Sequence, residues 1–153
     1  MGKISAMACL QSDLVPLLKA LRNRCFDNPA LAVGTTTTRI QVARAIDFAI
    51  DGQVYNKAAE DNISISALTA TVASQDCRVR VEINTAGTVS FVQGPIVSTA
   101  APAGEKVAGP RTASLATIGY FDMGASFTPG TTAASGLTYF NGDPDLDTTK
   151  LEA

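Results

Sequence analysis

Leu14, Leu17, Leu18, Leu21 and Cys25 recur at i, i+3, i+4, i+7 and i+11, the spacing of one apolar stripe along a helix. An amphipathic helix is therefore expected over residues 12–26. Ser12 or Asp13 can cap it, and Pro16 falls in its first turn, where a missing N–H is tolerated. Lys19, Arg22 and Arg24 complement the dipole near its end, and Asn28-Pro29 stops it. The simplest use of the stripe is packing on the body of the domain; docking onto another subunit is the alternative.

From residue 35 the period changes to two. Thr35 to Thr38, Ile40 and Val42 favour extended chain, because β-branched side chains fit a pleated surface. Ile46, Phe48 and Ile50 alternate with Asp47 and Ala49, and Asp51-Gly52 follows, a two-residue hairpin signal. That turn would pair Ile50 with Gln53, Phe48 with Tyr55 and Ile46 with Lys57. A further strand is expected over residues 63–68. Another covers 77–83, with Cys77, Val79, Val81 and Ile83 inward and Arg78, Arg80 and Glu82 outward. Asn84 to Gly87 turns the chain, and Val89 and Phe91 bring it back.

Residues 98–112 are rich in Ala, Pro and Gly and poor in large side chains. They read as an extended loop or arm that cannot bury enough surface to order itself and contacts other subunits instead; the alternative is a mobile surface loop with no partner. Strands near 115–120 and 137–140 flank a turn-rich stretch at 124–136. The pattern gives a mainly β fold, a β-sandwich or small β-barrel of about six to eight strands with one N-terminal amphipathic helix. Its divisions are an N-terminal helical segment (1–34), a β-rich domain (35–140) and an acidic C-terminal tail (141–153).

Composition narrows the function more than the fold. The 153 residues suit one domain with appended segments, and 46% are hydrophobic, enough for a core. Only 17% are charged, so Thr, Ser, Ala and Gly must fill much of the surface. A net charge of -2 gives no basic excess for a phosphate backbone, and no nucleic-acid partner is expected. No run approaches the roughly 18 apolar residues of a membrane span, and neither a membrane partner nor a signal peptide is expected. Met1-Gly2 opens like a myristoylation site, but Ala6 stands where Ser or Thr is required. Asn62-Ile63-Ser64 matches a glycosylation sequon with no other sign of secretion.

The chain contains no histidine, which removes the commonest general base, the Ser–His and Cys–His nucleophile systems and the commonest zinc ligand. Cys9, Cys25 and Cys77 form no metal or disulfide pattern and read as reduced thiols. Asp47 and Asp51 read as a solvated position and a turn residue rather than a glycosidase pair. Asn141, Asp143, Asp145, Asp147 and Glu152 echo a calcium loop, but Leu146 replaces its essential glycine and Pro144 intrudes. No catalytic, cofactor-binding or metal-ligating residue is assigned.

Two stretches stand out: Ile46-Asp47-Phe48-Ala49-Ile50-Asp51-Gly52-Gln53-Val54-Tyr55-Asn56-Lys57-Ala58-Ala59, and Ile118-Gly119-Tyr120 followed by Phe127-Thr128-Pro129-Gly130-Thr131-Thr132. In these the chain resembles a group of phage virion structural proteins. The likeness spans about residues 44–135; the N-terminal helix lies outside it. It implies a capsid decoration (cement) protein or head/tail accessory on the virion surface, made in the bacterial host cytoplasm. Such a protein is expected to bind the major capsid protein or other virion subunits, as a homotrimer, with no catalytic residues or cofactor. The alternative is a tail or fibre module binding a host-cell glycan or protein. That reading requires an exposed aromatic platform, for which Tyr120, Phe121, Tyr139 and Phe140 are the candidates.

Overall fold

A computed structural model of the chain describes residues 23–102 and 105–142. Among these residues the fold is mainly β. Its strands are β1 (Arg24–Cys25), β2 (Leu31–Val33), β3 (Ile40–Val42), β4 (Ile46–Ile50), β5 (Gln53–Lys57) and β6 (Glu60–Ile63). They continue with β7 (Gln75–Ile83), β8 (Val89–Gln93), β9 (Val97–Ser98), β10 (Ala116–Met123) and β11 (Thr138–Asn141). A 3-10 turn covers Ala134–Gly136.

The strands form two sheets. The larger runs β5-β4-β1-β10-β7-β8, with β11 beside β10 and β9 beside β7; the smaller runs β2-β3-β6. β1 lies parallel to β10, and the other pairings are antiparallel. The larger sheet ends at β5 on one side and β8 on the other. It does not close, which corrects the barrel option.

Alternation places one face of each long strand in the core. Phe48 on β4, Val79 and Val81 on β7 and Phe121 on β10 have no exposed surface, and Ile40 and Val42 from the smaller sheet join the same cluster. Phe121 packs edge-on against Phe91 at 6.0 Å. The β4–β5 hairpin has the expected register, with Ile50 opposite Gln53, Phe48 opposite Tyr55 and Ile46 opposite Lys57. Asp51 and Gly52 have φ of 51° and 83°, the two left-handed residues of a type I′ turn. In the β7–β8 hairpin, the Asn84 side-chain oxygen accepts from the N–H groups of Ala86 and Thr88, both at 2.9 Å.

Three expectations are corrected. The helix does not reach residue 26: Asn23 has φ of 58°, and Arg24–Cys25 form β1, where Cys25 lies opposite Phe48. Residues 12–22 lie outside the described residues. Strand structure thus begins before residue 35, with β1 and β2. Thr35 to Thr38 do not extend but turn, because side chains of Asp61 and Asn62 hold their backbone. Asp61 Oδ1 accepts from the Thr35 N–H at 3.0 Å, and Asn62 Oδ1 from the Thr36 N–H at 2.7 Å. The strand expected at 63–68 lies earlier, at Glu60–Ile63, and Ile65 to Leu68 form a turn closed by the Leu68 N–H on the Ile65 carbonyl.

Candidate functional site

Arg78, Arg80 and Glu82 do point away from the core, since they alternate with Cys77, Val79, Val81 and Ile83. They are nevertheless not outward in the sense of solvated: Arg80 is 4% exposed and Glu82 is 0% exposed. The chain after β9 lies over this second face. Arg80 Nε donates to the Gly109 carbonyl at 2.9 Å, and its Nη1 donates to Thr117 Oγ1 at 3.3 Å. The Thr112 N–H donates to Glu82 Oε1 at 3.0 Å. A buried guanidinium and carboxylate are tolerable only with such partners, so covering this face and fixing the arm are one event.

A second group of charges pins the middle of the arm. Lys106 Nζ stands 2.6 Å from Asp76 Oδ2 and 3.5 Å from Asp122 Oδ2. Arg78 reaches the same Asp122 in a bidentate pair. The hydrogen bond to Asp76 raises the Lys106 pKa above its ordinary value, and that to Asp122 raises Arg78's. Close approach is permitted by two residues without a β-carbon. A Cβ on Gly94 would sit 2.1 Å from the Val107 carbonyl oxygen, and one on Gly109 would sit 2.6 Å from Val92 Cγ1. The described part of residues 98–112 is therefore ordered against the chain's own sheet. This corrects the expectation that the arm cannot order itself: it does so by polar contacts rather than apolar area.

Between arm and sheet lies a pocket of about 310 Å3, lined by Asp76, Arg78, Ser98, Thr99, Pro102 and Lys106 among others. Its charges are already paired, Lys106 with Asp76 and Arg78 with Asp122 on β10. Asp76 Oδ1 is buried without a hydrogen-bond partner, as is Glu82 Oε2 farther along β7. The pocket walls combine both signs of charge with small side chains.

The other sequence candidates separate. Asp47 accepts from the Asn56 side chain at 2.8 Å, while Asp51 occupies the hairpin turn. Burial raises the pKa values of Cys25 and Cys77, which disfavours their thiolates; Cys9 lies outside the described residues. Among the described residues, no group of three or more His, Cys, Asp or Glu side chains could hold a metal. Asn141, the first residue of the calcium-like alternation, accepts from the Leu31 N–H at 2.8 Å; Asp143 to Glu152 lie outside the described residues. The sequon residue Asn62 adopts φ of 60°, and its side-chain amide accepts from Thr36 and donates to Asp61 at 3.3 Å. Among the described residues, no helix is long and apolar enough to cross a membrane.

The four aromatic candidates build no exposed platform. Phe121 is in the core, and the Tyr139 hydroxyl donates to the Ala134 carbonyl at 2.9 Å. Tyr120 and Phe140 are half-buried and stack on each other at 4.6 Å, with the Arg78 guanidinium 4.7 Å and 5.1 Å from their centroids. Sequence reasoning missed Asp122 as the carboxylate that Arg78 and Lys106 share. The available signal was a charged strand face followed by an arm long enough to fold back over it. No family model matches the chain, and the comparisons with curated proteins and with solved structures found no match.

Proposed function

We propose that this protein is a phage virion structural protein, a capsid decoration (cement) protein that binds the head shell and reinforces it. The observation that carries the reading is the use of the polar groups. Arg78, Arg80, Glu82, Asp122 and Lys106 hold the chain's own arm to its sheet and converge on no reacting centre. A two-sheet body of this kind, a β-sandwich in outline, is a stiff unit suited to bridging neighbouring shell subunits. Rupture of the shell would then also have to break the bridging contacts. The partners are the major capsid protein and further copies of the chain on the virion surface. Synthesis is in the host cytoplasm, and no cofactor or catalysis is involved. The resemblance of the β4–β5 hairpin and the Phe127 to Thr132 stretch supports the same assignment. The tail or fibre reading loses its main requirement, because the aromatics that would form a glycan platform are packed inside the fold or under Arg78.

Imaging of purified particles that carry the tagged protein tests this. Label over the head, together with heads that break at lower temperature when the protein is left out, is the expected result. Label confined to the tail, or particles free of the protein, overturns it.

A further inference from the structure

The outer edge of β5 ends the larger sheet, and its backbone has partners on one side only. The alternation of the ladder fixes which groups are free. The type I′ turn closes with Ile50 bonded to Gln53, so Phe48–Tyr55 and Ile46–Lys57 are also hydrogen-bonded pairs. The far side of β4 agrees: the Asp47 carbonyl accepts from Phe26 at 2.9 Å, and the Asp51 N–H donates to Asn23 Oδ1 at 2.7 Å. The odd-numbered β4 positions therefore face β1, and the even-numbered ones face β5. On β5 the N–H and C=O groups of Val54 and Asn56 are left pointing off the sheet. Among the described residues no backbone group meets them.

Open edges are normally protected by proline, a bulge or a projecting charge. Within its five residues, Gln53 to Lys57, β5 has no proline, and its pairing with β4 runs without a shift. Its only charge is tied down: Lys57 Nζ lies 2.5 Å from Glu60 Oε2 and donates to the Gly87 carbonyl at 2.7 Å. Val54 is 68% exposed.

We propose that the β5 edge pairs with the β5 edge of a second copy of this chain, antiparallel, about a two-fold axis at Tyr55. The choice of occupant follows from the register. In that arrangement Val54 exchanges backbone bonds with Asn56 of the second copy, and Asn56 with its Val54, so every free group at both positions is used. Tyr55 meets its own copy as the close, non-hydrogen-bonded pair, on the face where each ring already stacks on Phe48 at 5.6 Å. Lys57 falls opposite Gln53, and no like charges oppose. A strand of unrelated sequence would not need this self-complementarity. The contact is isologous and gives pairs in place of the three copies that the resemblance implies, and shell binding is independent of it.

A five-residue edge buries little surface, so the association is weak and concentration-dependent. Sedimentation equilibrium of the full chain up to about 1 mM tests it. The parent should approach the mass of two subunits. The double variant Val54→Lys with Asn56→Lys places lysine opposite lysine on both sides of the axis and should associate at least about tenfold more weakly. Val54→Glu with Asn56→Lys places opposite charges there and should dimerise at least as well as the parent. Circular dichroism checks that both variants remain folded. A monomeric parent, a trimer, or equal association of the two variants overturns the proposal. So does concentration-independent exchange protection of the Val54 and Asn56 amides, which would mean that the chain covers the edge itself. Particle association of the same variants, assayed separately, reports on the decoration reading alone.

Discussion

The Arg78 guanidinium grips the carboxylate of Asp122, its cross-strand neighbour on β10, through Nε to Oδ1 at 2.7 Å and Nη2 to Oδ2 at 3.0 Å. Asp122 also faces Lys106, so one carboxylate joins the strand pair to the arm. Asp122→Ala should destabilise the fold by about 1–3 kcal/mol, the range for hydrogen bonds to charged partners in a partly buried site. Hydrogen exchange should quicken around residues 105–109 more than in the β4–β5 hairpin. Uniform quickening across both regions would show that Asp122 does not anchor the arm.

Gly94 and Gly124 make a matched pair of sites. An added methyl at Gly94 meets the Val107 carbonyl oxygen at 2.1 Å and the Arg78 carbonyl oxygen at 2.9 Å, whereas nothing lies within 4 Å of one at Gly124. Gly94→Ala should cost about 1–3 kcal/mol, the usual range for overpacking, and displace the arm. Gly124→Ala should change stability by no more than about 0.5 kcal/mol. Thermal melts of the two variants provide the comparison, and equal melting temperatures would contradict close seating of the arm.

Tyr139 carries the clearest pH dependence. Burial pushes its pKa up to about 12, from an ordinary value near 10. Between those values the unfolded chain gives up the phenolic proton while the folded chain keeps it, so stability falls as pH rises through this window. The ring is only partly buried, and the loss should be about 1 kcal/mol after solvent screening. The raised Lys106 pKa acts in the same direction: its contribution is complete below about 10.5 and disappears above the folded-state value. Tyr139→Phe should melt lower near neutrality, by about 1 kcal/mol, because the bond to the Ala134 carbonyl is gone. It should then lose less stability than the parent between pH 10 and 12, with the Lys106 contribution common to both. Parallel melting curves for the two proteins would refute this account.

The hairpin turn is open to a cleaner test. Gly52 has φ of 83°, and nothing lies within 4 Å of the place a β-carbon would take, so any penalty there is conformational rather than steric. Gly52→Val should cost about 1–2 kcal/mol, and Gly52→Asn much less, because asparagine tolerates the left-handed region. Equal destabilisation by the two substitutions would point to a contact instead of backbone strain.

Local order and sequence order explain what was readable. The β4–β5 register follows from a period of two and a turn whose residues are adjacent, so every determinant lies within a dozen positions. Thr35 to Thr38 read wrongly because the carboxylate and amide that turn them come from Asp61 and Asn62 on β6, beyond any local window. Alternation placed Arg80 and Glu82 on the face away from the core, and the fold agrees. It is silent on whether that face is wet, which depends on an arm arriving some 29 residues later at Gly109. The polar cluster under the arm was unreadable for the same reason: its members come from β7, β10 and the arm, and each looked solvated alone.

Deletion of residues 100–109 separates the two views of the arm. A free arm that orders only on a neighbour would leave the melting temperature unchanged and weaken particle association. The anchored arm removes different things when it goes: Lys106 from Asp76 and Asp122, and the Gly109 carbonyl from Arg80. Arg80 would then lose its bond to Gly109 and meet water, which hydrates it but leaves that part of the outer face of β7 uncovered. The loss of the Lys106 ion pairs and one charge-assisted bond should lower stability by about 2–4 kcal/mol. The β4–β5 hairpin, which touches none of these groups, should retain its exchange protection relative to global unfolding. Melting and exchange measured on the deleted protein, with particle association assayed in parallel, decide between the views. An unchanged melting temperature would mean that the contacts of Lys106 and Gly109 add nothing to the fold and that the arm is held only when a neighbour is present.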